Sequence, residues 1–430
     1  MFFVNVLMKR EINDLEYLNY SMGQPYNLVV ILRIRGKITI SLLEKVLSKA
    51  QQRHPLLKVR IELNKNGMPW FTSERVGSIP ISFIERLDEG DTLNEFHKQL
   101  VTPFNYSSKV VPLFRVSLLT ADQNTDLVLC CQHTITDGMS MAFLTRDIIK
   151  YLNNPTEKIV VLNAPIKDED IFTPKIRRRI PKKPFRSKLL LFFLRIYHFF
   201  IFGFGKGKKV LEEKADSKHD DIKIHSWTLS EDQTKEFLKK CKKRKISVHS
   251  AICTAFLPDI STINNPVDLR NRLNHPIGES FGLFAGGTIV KAKYQKRRDF
   301  WANARRYQRK LIWNLRDRKI YSVNRMLNKS LSLSTMKAFG QLFVDIVSRQ
   351  NPFAITNLRS LDKLGITFES DIYSVDSFNA AISNTLDAMT VVVFTLRKKM
   401  YFHYHYMESK HDVERIKQIA KNARKRILES

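Results

Sequence analysis

Short apolar runs and helically spaced apolar positions follow one another along the first part of the chain. The predicted elements are strands at 28–36, 111–119 and 126–132, and helices that follow Ser41 and Gly138. Ser41 and Glu44 form a capping-box pattern at the start of the first helix, and Pro55 marks its end. This order predicts a mixed α/β unit in residues 1–170.

The last part of the chain repeats the two patterns. The predicted elements are a strand at 222–229, helices from Ser230 and Ile246, a hairpin over 391–406 and a helix from Asp412. Ser230 stands three residues before Gln233, which is the spacing of a capping box. We therefore expect a second α/β unit in residues 216–430, joined to the first through residues 171–215.

Residues 171–215 differ in composition from the rest of the chain. Positive charges and prolines crowd residues 175–188, and the apolar stretch 189–204 follows. That stretch has 16 residues, fewer than the about 20 needed to span a bilayer, and Arg195 at its middle opposes full insertion. The pattern predicts an interfacial helix that binds an anionic membrane surface through residues 175–209. A buried crossover helix between the two units is the alternative.

Charge narrows the classes of partner. The 430 residues include 72 Lys and Arg against 42 Asp and Glu, a formal net charge of +30 that predicts attraction to membranes, phosphates or nucleic acid. Basic and aromatic residues interleave at 291–310, a pattern that can stack on bases. However, aromatics at helical spacing are more often part of a core, and no helix-turn-helix, zinc or RNA-recognition motif is present. Nucleic acid is therefore not an expected partner.

The cysteines and the first ten residues indicate the cellular compartment. The four cysteines are Cys130, Cys131, Cys241 and Cys253. Their spacing fits neither a disulfide framework nor a metal site, which favours a reducing compartment. In residues 1–10 positive charge follows the apolar run, the reverse of a secretory signal. We expect a cytoplasmic protein with peripheral membrane association.

The segment 133–138, with the sequence His-Thr-Ile-Thr-Asp-Gly, carries the candidate chemistry. It lies where a predicted strand passes into a predicted helix, so His133 can reach a cleft and accept a proton from a hydroxyl or an amine. Asp137 is better placed to fold back on the turn, or to pair with a distant arginine, than to accept that proton. Gly138 supplies the backbone freedom of a tight turn. The combination indicates acyl transfer; a structural histidine beside a strand is the alternative.

Residues 132–138 resemble the His-His-x-x-x-Asp-Gly signature of the chloramphenicol-acetyltransferase-like superfamily. This superfamily includes peptide-synthetase condensation domains, wax ester synthase/diacylglycerol acyltransferases, alcohol acetyltransferases and polyketide-associated acyltransferases. Gln132 stands in place of the first histidine, and His133 matches the second, catalytic one. The resemblance implies an α/β (α+β) fold of two acetyltransferase-like subdomains, each a mixed sheet with flanking helices. It also implies an active site in a tunnel between them, with His133 as general base.

Shorter segments extend the resemblance. Residues 266–270, Pro-Val-Asp-Leu-Arg, are similar to a segment whose arginine pairs with the motif aspartate in relatives. A buried Asp137 needs such a cation, so Arg270 is expected to pair with it; a surface position beside a strand is the alternative. Residues 356–361 resemble a segment that crosses the cleft, and either Thr356 or Asn357 would donate to the oxyanion.

Other histidines carry no expected chemistry. The resemblance makes His54 structural, because residues 53–60 are similar to a segment that leaves the first long helix of these acyltransferases. A catalytic role for His249 is not expected. His403 and His405 share one face of a predicted strand, but no third ligand is close in sequence, so no metal is expected.

The resemblance implies an acyltransferase without a permanently bound cofactor. The donor would be an acyl-CoA or a phosphopantetheine-linked acyl group on an acyl carrier protein. The acceptor would be a hydroxyl, and the basic and apolar segment 171–215 favours a lipid-like one. His133 would take the acceptor proton and pass it to the leaving thiolate. No covalent enzyme intermediate is expected, since a G-x-S-x-G motif is absent. Two alternatives stay open: amide formation by a stand-alone condensation enzyme of peptide or polyketide biosynthesis, and a catalytically silent relative that binds without reacting.

Overall fold

A mixed sheet of five described strands forms the centre of the first lobe in the computed structural model. In spatial order these are β12 (Ser374–Ile382), β2 (Asn27–Arg35), β7 (Asn124–Gln132), β6 (Phe114–Thr120) and β5 (Ile81–Glu85). The structure describes residues 8–121, 123–162, 168–178, 196, 221–275, 277–321, 324, 327–338, 353–367, 372–383 and 389–430. Strands β5 and β6 run parallel and the other neighbours antiparallel.

Helices and a small sheet cover this first sheet. They are α1 (Asp14–Ser21), α2 (Ile40–Arg53), α3 (Glu89–Val101) and α4 (Gly138–Asn153), with β1 (Lys9–Glu11), β4 (Pro69–Thr72) and β3 (Arg60–Leu63) in the small sheet. The start predicted for α2 is wrong: Thr39 caps the helix, and its hydroxyl accepts the Leu42 N–H at 3.2 Å. Because Thr39 already supplies the extended cap, Ser41 and Glu44 lie within the helix.

The second lobe is built around a mixed sheet of six described strands. In spatial order these are β10 (Ala285–Lys291), β9 (Thr262–Asp268), β11 (Phe353–Ser360), β13 (Met389–Leu396), β14 (Lys399–Met407) and β8 (Ile222–Leu229). Its longer helices are α7 (Glu231–Lys243), α8 (Val248–Phe256), α9 (Phe300–Asn314) and α12 (Val413–Glu429). The chain also has four short helices, which are α5 (Asp168–Ile171), α6 (Pro174–Arg177), α10 (Asp317–Ile320) and α11 (Leu361–Leu364) among the described residues. The two mixed sheets with flanking helices confirm the expected fold class.

Strand β12 crosses from the second lobe into the first. It lies late in the chain, yet it pairs with β2 over the register from Ser374 opposite Arg35 to Ile382 opposite Leu28. The division at residues 170 and 216 did not anticipate this crossing, because a strand's own pattern does not say which sheet it joins. The two lobes therefore share hydrogen-bonded backbone as well as side-chain contacts.

The two faces of the second sheet have different partners. Val391 and Val393 of β13 pack into the core of the second lobe. Val392 and Phe394, on the opposite face, belong to the core of the first lobe. Because side chains alternate along a strand, one face of this sheet is the boundary between the lobes.

The region expected to contact a membrane lies mostly outside the described residues. Within 175–209 the structure describes residues 175–178 and 196. Among the residues that the structure describes, we find no helix that combines the length and the apolar character needed to cross a bilayer.

Candidate active site

The candidate base, His133, lies at the junction that the sequence predicts. Strand β7 ends at Gln132, a 3-10 turn covers residues 133–135, and α4 begins at Gly138. The His133 N–H donates to the carbonyl oxygen of Tyr26 at 2.8 Å, and the two rings lie 4.8 Å apart between centroids. The backbone and ring of His133 are thus fixed from two sides, at the end of a buried strand.

A single hydrogen bond sets the tautomer of His133. Its Nδ1 lies 2.6 Å from the carbonyl oxygen of Thr136, and because a carbonyl only accepts, Nδ1 must carry the proton. In the neutral ring Nε2 is then the atom with a free electron pair. Burial lowers the pKa of His133 below its ordinary value, against the opposing effects of the Thr136 hydrogen bond and the Asp137 charge. The imidazole is therefore a neutral base near pH 7.

Asp137 has a positioning role rather than the proton-accepting one. It is 2% exposed, and its Oδ1 caps α4 by accepting the Ser140 N–H at 2.7 Å. Its Oδ2 accepts the Phe284 N–H at 2.8 Å. The expected pairing with Arg270 is present, at 3.0 and 3.2 Å for the two N–O contacts. Asp137 therefore holds the turn beside His133 and connects the two lobes.

Ser140 also contributes to this contact between the lobes, a role that its sequence context did not predict. Its Oγ accepts from Arg270 at 2.6 Å and from the N–H of Gly282 at 3.0 Å, and donates to the carbonyl oxygen of Gly282 at 2.7 Å. A side chain at Gly282 would meet the Phe284 ring at 2.6 Å, so the segment that faces Ser140 requires glycine. The only sequence signal for Ser140 was its place in the first turn of α4.

Gly138 serves a purpose other than the predicted one. It lies in helix α4 and is absent from the glycines with positive φ, so the turn does not depend on glycine's backbone freedom. A Cβ at this position would instead stand 3.0 Å from Cδ2 of Leu358 on β11. The start of α4 therefore approaches the second sheet closely, and a side chain here would require Leu358 to shift.

Gln132 occupies the position where the superfamily signature has its first histidine. It is fully buried, and its Oε1 accepts the N–H of Thr134, which caps the 3-10 turn. Its Nε2 has no hydrogen-bond partner within the described part of the chain. The side chain therefore supports the turn that carries His133 and offers no basic group.

The two oxyanion candidates lie on opposite faces of the second sheet. Thr356 is in register with Val392, which packs against the first lobe, whereas Asn357 is in register with Val393 in the second core. Thr356 therefore faces the boundary between the lobes. Asn357 Oδ1 accepts the Arg359 N–H at 2.8 Å, so its side chain serves the local turn. Of the two, only Thr356 is on the face of the sheet that is turned to the first lobe, which contains His133.

His54 and His249 make structural contacts. His54 is buried, with Nε2 2.9 Å from Oδ2 of Asp147. Burial opposes ionisation of Asp147, but the His54 hydrogen bond and the nearby Arg146 lower its pKa to about 2. His249 Nε2 lies 2.9 Å from Oδ1 of Asn265 inside the second lobe. Neither ring belongs to the site around His133.

His403 and His405 bind the crossing strand β12. Oδ1 of Asn379 lies 2.8 Å from Nδ1 of His403 and 3.0 Å from Nε2 of His405. Burial lowers the pKa of His403 to about 4 and the pKa of His405 well below its ordinary value, so both neutral rings can donate to the amide oxygen. Throughout the described ranges, no three or more His, Cys, Asp or Glu side chains come together as a metal site.

The cysteines beside the site are poor nucleophiles. Cys130 and Cys131 are fully buried in β7. Burial raises the pKa of Cys130 to about 11, and burial together with the neighbouring thiol raises the pKa of Cys131 well above its usual range. Because the thiolate is the reactive form, neither cysteine is placed to act as a nucleophile near neutral pH.

Comparison with known sequences finds one family in the first lobe. The model of the Condensation domain matches residues 18–162, which contain His133 and Asp137. The chain is 33% identical over 129 residues to bacitracin synthase 3 of Bacillus licheniformis, and 27% identical over 128 residues to gramicidin S synthase 2 of Brevibacillus brevis. These matches cover 29% and 30% of this chain, and the chain spans only 2% and 3% of those relatives.

Solved structures share the fold over nearly the whole chain. TRI3 trichothecene 15-O-acetyltransferase from Fusarium sporotrichioides has a TM-score of 0.64 at 10% identity, covering 98% of this chain and 95% of that one. Polyketide synthase associated protein 5 from Mycobacterium tuberculosis has a TM-score of 0.60 at 13% identity, covering 97% of both. The epimerization domain from the third module of tyrocidine synthetase B has a TM-score of 0.64 at 15% identity, covering 98% and 97%. At these identities the likeness establishes the fold alone.

Proposed function

Because the chain has the fold of the condensation-domain and chloramphenicol-acetyltransferase-like superfamily, and the Condensation-domain signature at residues 18–162, we propose that it is an acyltransferase. It transfers an acyl group from a thioester to a hydroxyl acceptor, with His133 as general base. The hydrogen bond from Nδ1 of His133 to Thr136, 2.6 Å long, carries this proposal because it leaves Nε2 as the basic atom.

The reaction needs no covalent bond to the protein. Nε2 of His133 takes the acceptor's proton while the acceptor oxygen attacks the thioester carbonyl carbon. The tetrahedral intermediate carries its negative charge on the former carbonyl oxygen, to which the Thr356 hydroxyl donates. The C–S bond then breaks, and the imidazolium returns the proton to the thiolate. Asp137 and Arg270 hold the turn in place throughout.

The donor in this proposal is an acyl-CoA or an acyl group on a carrier protein, and no permanently bound cofactor takes part. A lipid-like alcohol is the favoured acceptor. Support for a hydroxyl acceptor comes from TRI3, an O-acetyltransferase that shares the fold. At 10% identity this support is confined to the architecture.

Amide formation is the second candidate. It is favoured by the family model at residues 18–162 and by relatives that are peptide synthetases. The same base would then deprotonate an amine nucleophile. Incubation with acyl-CoA or acyl-carrier donors and equal amounts of a long-chain alcohol and its amine analogue, followed by product mass measurement, separates the two. An ester supports the first proposal and an amide the second, whereas turnover of neither acceptor supports a binding role.

The pH profile reports the state of His133. The neutral ring is the active base, so kcat/KM should fall as pH falls through the pKa of His133. Since burial lowers that pKa, the midpoint of the acid limb should lie below the ordinary histidine value of about 6.5. A profile of kcat/KM from acid to neutral pH, with stability checked at each point, tests this. A midpoint above the ordinary value would contradict the buried neutral base.

Substitution at Thr356 tests the oxyanion donor. Thr356→Val keeps the shape but removes the hydroxyl, and we expect kcat to fall by roughly 10²-fold, the usual cost of losing one such donor. Asn357→Ala is the matched control, because its side chain lies on the other face of the sheet. We expect its rate to stay within about threefold of wild type. Equal decreases of kcat in both variants would show that Thr356 is not the oxyanion donor.

A further inference from the structure

An exposed basic and apolar surface lies at the edge of the second lobe, on β10 and α9. Ile289 is 58% exposed, Ile312 57% and Trp313 50%. Ile289 and Trp313 line one open groove together with Lys291, Arg309 and Lys310 among others. Isolated exposed apolar residues are ordinary, but large ones that adjoin each other mark an interaction surface.

The two segments that form this surface carry only positive side chains, and Asp299 and Asp317 flank the second of them. Residues 285–293 and 300–316 contain no Asp or Glu, and they include Lys291, Arg305 and Arg309 as exposed cations. Cations also lie over the exposed indole: Cζ of Arg316 and Nζ of Lys319 are 3.9 and 5.1 Å from the Trp313 ring centroid. The partner that fits must therefore be anionic and must also accept apolar side chains.

Burial of the other aromatics argues against a nucleic-acid partner. Phe300, Trp301 and Tyr307 of the basic helix α9 are at most 9% exposed and belong to the second core. They are not available to stack on bases, which leaves Trp313 without the row of aromatics that a strand of nucleotides would use.

We propose that this surface docks on an anionic phospholipid membrane. The indole of Trp313 and the two isoleucines would enter the headgroup region, where tryptophan is favoured, and the surrounding cations would contact lipid phosphates. The formal net charge of +30 attracts the protein to any anionic surface, and the apolar centre selects this face for contact. None of the residues of this surface belongs to the segment 175–209. The inference does not depend on the proposed reaction, because vesicle binding is measured without turnover.

The first test uses vesicles of phosphatidylcholine alone or with about one part in four of phosphatidylglycerol. In co-sedimentation, we expect wild type to bind the anionic vesicles with a dissociation constant at least about tenfold lower than for phosphatidylcholine alone. Its tryptophan emission should also shift to shorter wavelength on the anionic vesicles. Trp313→Phe should keep most of the binding and lose the shift. Equal binding to both vesicles, or a shift that persists in Trp313→Phe, would overturn the proposal.

A charge-reversal pair locates the contact. Lys291→Glu with Arg309→Glu should weaken binding to anionic vesicles by about thirtyfold or more, since each membrane-facing cation contributes about fivefold. Lys421→Glu with Arg424→Glu, on exposed positions of α12, makes the same change in net charge elsewhere. We expect this control to weaken binding by less than about threefold. Equal losses in both pairs would show that net charge alone drives binding and would contradict a docking face. Unchanged binding in both pairs would likewise overturn the proposal, because the membrane contact would then lie elsewhere.

Discussion

Replacing His133 with glutamine should lower kcat by roughly 10²–10⁴-fold, the usual contribution of a general base. The glutamine side chain is close to imidazole in length and polarity and its amide nitrogen comes near the position of Nε2, but an amide cannot take a proton from the acceptor. Substrate binding should change little, so the loss should be in kcat rather than in KM. Steady-state kinetics on the purified variant give the result.

A matched control separates chemistry from damage to the fold. His249→Gln changes a second histidine, which is half-buried and whose Nε2 lies 2.9 Å from Oδ1 of Asn265 in the second lobe. Its thermal stability can fall, yet kcat of the folded fraction should stay within about twofold of wild type. A His133→Gln enzyme that keeps full activity would show that this ring is structural and that the reaction, if any, uses another group.

Replacing Arg270 with methionine should lower the free energy of unfolding by about 3–5 kcal/mol, the usual penalty for leaving one member of a buried ion pair without its partner. Asp137 and Arg270 are both buried, and their contacts of 3.0 and 3.2 Å connect the two lobes. Asp137 would keep its two backbone hydrogen bonds but lose its counter-charge. Denaturant unfolding measures the change, and activity should fall with it because the turn of His133 loses support.

An exposed pair and a double mutant serve as controls. Arg35 and Asp376 lie 3.1 Å apart but are 63% and 30% exposed, so Arg35→Met should cost less than about 1 kcal/mol. Adding Asp137→Asn to Arg270→Met should cost less than the sum of the single changes, with a coupling of roughly 1–3 kcal/mol. Strict additivity would mean that the pair does not act as a unit.

The sequence predicted the site where its chemistry is local. His133 follows an apolar strand and precedes an amphipathic helix, and both neighbours are recognisable from spacing alone. Arg270 is distant in sequence, but the cost of an unpaired buried carboxylate at Asp137 required a cation, and the resemblance indicated which one. The hydrophobic pattern, the cost of a buried charge and the resemblance together were enough to predict the positions of His133, Asp137 and Arg270.

The features that escaped prediction depend on how distant segments approach each other. The strand at Ser374–Ile382 has an ordinary strand pattern, and nothing within it says that it joins the first sheet. Gly138 lies against the side chain of Leu358, and Ser140 donates to the backbone of Gly282. Both are contacts between the lobes. The choice of Thr356 over Asn357 likewise needed the register of β11 with β13.

Free-thiol release from thioester donors shows whether His133 acts as the general base of an acyl transfer. Wild type and His133→Gln are compared on acyl-CoA and acyl-carrier donors of rising chain length, each with and without a long-chain alcohol. We expect thiol release that requires both the acceptor and His133, with matching formation of the acylated product. Release that is equal in the two proteins, or that ignores the acceptor, would contradict a reaction in which Nε2 of His133 activates the nucleophile.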